Sequence, residues 1–401
     1  MKKYLILVII VLVVAGLVVG GYLLRKNSST APESVSPDDN QSPLPNGTSG
    51  ESPSAGTGQG SLGGLIQKSN QVAPNLVKDY FVDTQEKVIF VQPDGQIFEA
   101  GGKEPKTINS TAIDGLIDAS FSFDGKIVGA RFGNPEKPLR SIFDIDGKTW
   151  MPIALNIQAL AWAPGDHRVA YLAKTAQGLT LGTLDLSQKS AKPKEFTSLH
   201  ANDLNLTWIR PEEIWLVEKA SAQIANSLWV FDFSKKTLTP IIKNQKGLEI
   251  MWNASGTLAL ELSDGQLKLI NRQGVLARRF TFVTLPSKCA FYFEIRNVTA
   301  TSVATGTKKT IVPQIIKEEY LNCAIPVDEN QLKGYSLPDD YYKKAIFTED
   351  NIHQIKISTG EIIPVFVGDE IDATNLKRVG QKIYFINRFD GKLYSAPIKS
   401  N

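Results

Sequence analysis

Residues 160–171 read "LAWAPGDHRVAY". An apolar run ends on Trp162, a short polar cluster with Pro164 and Gly165 reverses the chain, and an alternating apolar run starts at Val169. The same order recurs at 206–216, "LTWIRPEEIWL", with Trp208, and at 250–260, "IMWNASGTLAL", with Trp252. Upstream, "ASFSFDGKIVGAR" puts Phe121 in this slot; downstream, "TNLKRVGQKIYFI" puts Leu376 there. The first four slots are about 40–46 residues apart, the period of a four-stranded propeller blade.

A second half of the unit follows each of several slots. "SIFDIDGKTWMPI" (141–153), "SLWVFDFSKKTLTPII" (227–242) and "IHQIKISTGEIIPVF" (352–366) each give a strand, a polar turn and a strand containing Pro152, Pro240 or Pro364. Proline removes a ladder donor and belongs on an edge strand, which is what the outermost strand of a blade is. Trp162, Trp208 and Trp252 are therefore expected on the inner part of each blade, packed against the next one, rather than stacked on a ligand. Asp94-Gly95, Asp124-Gly125, Asp146-Gly147, Asp264-Gly265 and Asp390-Gly391 lie between strand-like runs. The pair suits tight hairpins, since Gly adopts φ > 0 freely and Asp tolerates it, and a regular phase within the repeat is expected of it.

The pattern predicts an all-β propeller with blades at about 77–110, 111–155, 156–200, 202–243, 246–283, 285–367 and 371–400. Seven blades is the expected number, six and eight being the neighbouring alternatives. The sixth is overlong, with "EIRNVTATSVATGTKKTIVPQIIKEEY" (294–320) inserted between its first two strands. The last shows three strands, and "SLGGLIQKSN" (61–70) is expected to add the fourth and close the ring.

Residues 4–24, "YLILVIIVLVVAGLVVGGYLL", carry no charge and are long enough to span a bilayer as a helix, which needs about 20 apolar residues. A cleavable signal peptide has an apolar region of about 7–15 residues and a small-x-small site, and "VVGGYLLRK" offers none. Residues 1–26 are thus expected to be a cytoplasmic tail and single transmembrane anchor, with the bulk of the chain outside. Residues 27–64 are Ser, Pro, Gly, Thr and acidic residues with scattered apolar ones, a composition that stays disordered. A flexible tether of about 38 residues reaches roughly 35 Å. Residues 65–401 carry the propeller. With a formal net charge of +3 over 401 residues and no Lys/Arg cluster, nucleic acid is not an expected partner.

"SFSFDGKIVGA" and "LAWAPGDHRVAYL" resemble the x-W-S-P-D-G-x-x-φ-A-φ repeat of TolB-like bacterial β-propellers, where φ stands for an apolar residue. "INSTAIDGLIDASFSFDGK", "LPSKCAF", "YLNCAIP", "LPDDYY" and "IDATNL" are also similar to single-anchor propeller proteins of small-genome bacterial lineages. The resemblance covers roughly 65–401 and implies an extracytoplasmic propeller. It names no activity, because a fold does not fix a function. The Gly-His and Trp-Asp signatures of eukaryotic-type WD repeats are missing.

His167, His200 and His353 fall in different blades without ligand spacing, and no Asp-x-Asp-x-Asp-Gly calcium loop occurs, so no metal and no cofactor is expected. "FDIDGKTW" (143–150) approaches a sialidase Asp-box, but Phe143 and Ile145 occupy its Ser and Asp positions. There is no Gly-x-Ser-x-Gly elbow. Glu212–Glu213 and Asp339–Asp340 are adjacent acid pairs, a pattern that is usually solvated surface. Cys289 and Cys323 are expected on neighbouring strands of the sixth blade, where a disulfide would pin the insertion and stabilise by roughly 3–4 kcal/mol.

"KGYSLPDDYYKKAIF" (333–347) is the loop that stands out. Tyr335, Asp339, Asp340, Tyr341 and Tyr342 are the candidate binding residues, Tyr-rich loops being common at recognition surfaces. The alternative is that the rings cap the blade edge. The functional expectation is a membrane-anchored, non-enzymatic scaffold for an envelope protein or glycan. The alternatives are a glycan hydrolase or lyase using acids in the funnel, and a passive subunit of an envelope complex.

Overall fold

The computed structural model describes residues 66–398 apart from 102–103, 110, 154–155, 188–191, 202 and 302–310. They form seven antiparallel sheets, spanning 79–107, 116–152, 157–199, 204–246, 249–279, 289–368, and 373–397 joined by 70–76. The expected apolar segment 4–24 and the linker 27–64 lie outside the described residues. Among the described residues, no helix is long and apolar enough to cross a membrane.

Within each blade the strands are called a to d from the hub outward. The first strands of neighbouring blades touch, as Ile157–Trp162 does Leu204–Arg210 and Asp79–Val82 does Leu116–Phe121, which puts strand a at the centre. Strand b is covered on both faces by adjacent blades and reads as an apolar run: Val88–Val91 is buried throughout, as is most of Arg168–Thr175. The outer strands Thr149–Pro152 and Leu276–Arg279 are mostly exposed. Pro152 and Pro240 sit on such d strands.

The aromatic slot joins each blade to the one before it, not to the one after it. Trp162 donates its indole N–H to Ser120 Oγ of the second blade at 3.0 Å, and its ring lies where a Cβ on Gly129 would come within 3.2 Å. Trp252 meets Trp215 of the fourth blade at 4.1 Å between ring centroids, and Phe121 meets Phe81 of the first at 6.1 Å.

The Asp-Gly turns do not share one phase. Asp94, Asp264 and Asp390 lie in b–c turns, Asp124 in an a–b turn and Asp146 in a c–d turn. Any tight hairpin accepts the pair, so its recurrence follows hairpin number, not blade position. The closing strand also differs from the expected 61–70. Asn70–Leu76 supplies strand d of the seventh blade, pairing with Lys392–Pro397. Ile66–Gln67 instead adds a fifth, parallel strand outside Ile362–Gly368 of the sixth.

The sixth blade carries both irregularities. Residues 294–301 and 311–320 are no separate insert but a continuation of strands a and b. Their ladder runs from Cys289↔Cys323 to Thr301↔Ile311, while the register of strand c ends at Tyr320↔Lys356. This hairpin lengthens the blade on the face of the a–b turns. The b–c connection, 327–349, lies on the opposite face, with the b–c turns of the other blades.

Candidate functional site

Four apolar side chains fasten the 327–349 insertion. Leu332, Leu337, Tyr341 and Ile346 are buried with Leu260, Leu262, Phe282 and Leu285. Gly247, in the link before the fifth blade, lets it approach: at φ +66°, a Cβ there would lie 2.7 Å from the Leu337 carbonyl. Beneath the insertion is a buried charged network. Lys288 Nζ lies 2.7 Å from Asp350 Oδ2 and 2.8 Å from Asp372 Oδ1 and also donates to Thr348. Arg388 pairs with Asp372, donates to the Tyr341 carbonyl at 2.7 Å and stacks its guanidinium 3.6 Å from the centre of the Tyr341 ring. Burial, with Asp372 close by, pushes the Asp350 carboxyl up to about 6 against the pull of Lys288.

Beside the insertion, the hub opens on the b–c face into a cavity of about 880 Å³. Its walls come from blades two to five and from Asp339, Tyr342 and Lys343 of the insertion. Gln158, Asn205 and Thr207 project into it from first strands. Tyr342 is 53% exposed, yet it is held: its hydroxyl donates to Glu249 Oε1. Burial pushes Glu249 up to about 7, opposed by that hydrogen bond. A second cavity of about 550 Å³ lies between the insertion and the fourth and fifth blades, lined by Tyr335, Lys333, Lys246 and Val283.

The five candidate residues of 333–347 thus separate. Residues 339–342 form one helical turn, Asp339–Tyr342. Tyr341 is 1% exposed, occupied by Arg388 and Lys288, and offers no outer surface. Asp339 Oδ2 accepts the Ala222 backbone N–H at 2.6 Å, and Asp340 Oδ2 accepts that of Ser336 at 2.8 Å. These adjacent acids are therefore spent on backbone donors in opposite directions. Tyr342 lines the larger cavity and Tyr335 the smaller. Cys289 and Cys323 face each other in register and are joined by a disulfide.

Glu249 had no sequence signal: it opens the same strand that Trp252 ends, Glu249–Trp252, and meets Tyr342 across 93 residues. The histidines are scattered: His167 Nε2 lies 3.0 Å from Asp124 Oδ2, His200 is exposed and His353 is half-buried opposite Cys323. Among the described residues, no three His, Cys, Asp or Glu side chains are grouped to hold a metal ion.

No family model and no curated relative matches the chain. Among solved structures, a chain of the mitotic checkpoint complex is similar with a TM-score of 0.50 and 11% identity, over 87% of this chain and 97% of that one. The tricorn protease aligns with a TM-score of 0.48 and 13% identity over 83% of this chain, which spans only 34% of that protein. A TolB from Agrobacterium tumefaciens aligns with a TM-score of 0.39 and 12% identity, over 54% of this chain and 89% of that one. At such identities the likeness concerns the fold alone.

Proposed function

We propose that this seven-bladed β-propeller, of the TolB-like and WD-repeat-like kind, belongs to a single-pass membrane protein with a cytoplasmic N-terminus. Its propeller stands outside the cell as a non-enzymatic scaffold that receives an envelope protein or glycan on the b–c face. The apolar segment 4–24 and the polar tether 27–64 support the anchored part of this reading. One observation carries the binding part: the 880 Å³ cavity, of a size typical for ligand sites, is walled on one side by an insertion that the other blades lack.

A photo-crosslinking residue in place of Lys343, in the full-length protein in intact cells, tests the binding part. Reproducible capture of an envelope component from position 343 and not from position 165, on the a–b face, is expected. Capture from 165 alone overturns the choice of face. Protease added to intact cells should cut within 27–64; full protection overturns the orientation.

Glu249 favours a second reading. A carboxyl pushed up to about 7 in a cleft is suited to general acid or base catalysis in a glycan hydrolase or lyase. Asp339, its neighbour on the wall, already accepts a backbone hydrogen bond and is poorly placed to act as a second acid. Glycan turnover abolished by Glu249→Gln would establish this reading in place of the scaffold.

A further inference from the structure

We propose that the b–c cavity is a carbohydrate site in which a sugar ring stacks on Tyr342, with Glu249 as the positioning residue that holds the tyrosine in place. This rests on the binding reading above and names its ligand class.

Tyr342 combines exposure with immobility. Half of the residue is open, but its hydroxyl is tied to Glu249, and its helical turn is tied to the fourth blade through Asp339 and Ala222. The adjacent Tyr341 ring, edge-on at 5.7 Å, is itself locked by Arg388. An aromatic face fixed in this way loses little freedom when a ligand lands on it. The carboxyl that holds it is half-buried, and burial pushes that carboxyl toward neutrality while the Tyr342 hydroxyl opposes the shift.

The surrounding walls select the ligand. Among the described residues, the side chains of Gln158, Asn205, Thr207, Lys174 and Lys219 line the cavity without a hydrogen bond or ion pair. They are donors and acceptors with no internal commitment. Of the apolar residues on the wall, Leu204 and Leu248 are buried, whereas Val217, Ala220 and Ile250 are half-buried, so the wall mixes small apolar patches with these polar side chains. A phosphate polymer would meet the carboxylates of Asp203 and Glu218 as well as the lysines. A sugar matches both features: its C–H face suits the open ring, and its hydroxyls donate and accept in turn.

The full-length protein in detergent would be applied to an array of neutral hexose, N-acetylhexosamine and uronate oligosaccharides, and any hit titrated by calorimetry. Binding of one class is expected. Tyr342→Ala should weaken it about tenfold. Tyr342→Phe, which keeps the ring but loses the tie, and Glu249→Gln should each weaken it less than Tyr342→Ala. Tyr335→Ala, in the other cavity, should leave it unchanged, and thermal melts confirm that each variant is folded. Binding that survives Tyr342→Ala overturns the proposal. So does an array without hits; if capture from position 343 persists in that case, only the ligand class fails, and if capture is lost too, the binding reading falls with it.

Discussion

Lys288 Nζ sits 2.8 Å from Asp372 Oδ1 with both residues sealed from solvent, and this contact joins the link before the sixth blade to the link before the seventh. Asp350, also on Lys288, opens strand c of the sixth blade directly after the insertion. One ammonium therefore holds three chain segments under the insertion. Lys288→Met removes the cation, leaving Asp350 buried without its ammonium and Asp372 with Arg388 alone. Removing one partner of a buried pair costs about 3–5 kcal/mol. Urea titration of the variant should show that loss; a change below about 1 kcal/mol would mean that the carboxylates are satisfied without Lys288.

The insertion also predicts a pH dependence. Asp350 and Glu249 are both pushed up, to about 6 and about 7, from ordinary carboxyl values near 4 in the unfolded chain. Between those limits the folded protein holds protons that the unfolded chain has released. Their contribution to stability is therefore fully present below about pH 4 and falls as pH rises through 6 for Asp350 and through 7 for Glu249. Glu249→Gln removes the upper part of the fall. The melting temperature of the wild type should drop more steeply between pH 6 and 8 than that of the variant; parallel profiles would exclude Glu249 as the group responsible.

Cys289 and Cys323 close a loop containing the whole extended hairpin, with 34 residues of sequence separation. Loop-closure entropy for that length is about 3–4 kcal/mol. Replacing both cysteines by Ser should lower the unfolding free energy by up to that amount, more than any exposed substitution in the hairpin. An unchanged denaturation midpoint would show that the unfolded chain is already restricted there.

The blade repeat was legible because it is local: each slot, turn and alternating run lies within a dozen residues. Trp162, Trp208 and Trp252 mark strand a, and Pro152 and Pro240 mark strand d, as their chemistry requires. The closing strand was misplaced by several residues because Asn70–Leu76, "NQVAPNL", is largely exposed and carries no alternating apolar pattern. Asp-Gly pairs report hairpins but not which hairpin. The site was half legible. Tyr342 stood out by composition, but Glu249 and Arg388 become meaningful only when the ring brings segments distant in sequence together. Tyr341 and Tyr342 are adjacent in sequence, yet one is a buried stacking partner and the other lines a cavity. Nothing local separates them, because one helical turn points them in different directions.

The junction of the second and third blades offers a direct test of the slot. Trp162 fills it with an indole lying over Gly129, where even one added carbon would sit 3.2 Å from the ring. Trp162→Ala removes the ring from a half-buried site and should cost about 3 kcal/mol, the lower end for such truncations. Gly129→Ala should cost about 1–3 kcal/mol by overpacking against the same ring. The two changes act on one contact, so they cannot add. With Trp162 already truncated, the alanine methyl enters the space the indole left, and its cost should vanish or reverse. A coupling of about 1 kcal/mol or more in the double-mutant cycle is expected. Additive losses would mean that the glycine serves its own strand and not the tryptophan, and the rule that each slot residue leans on the preceding blade would fail at the position that best displays it.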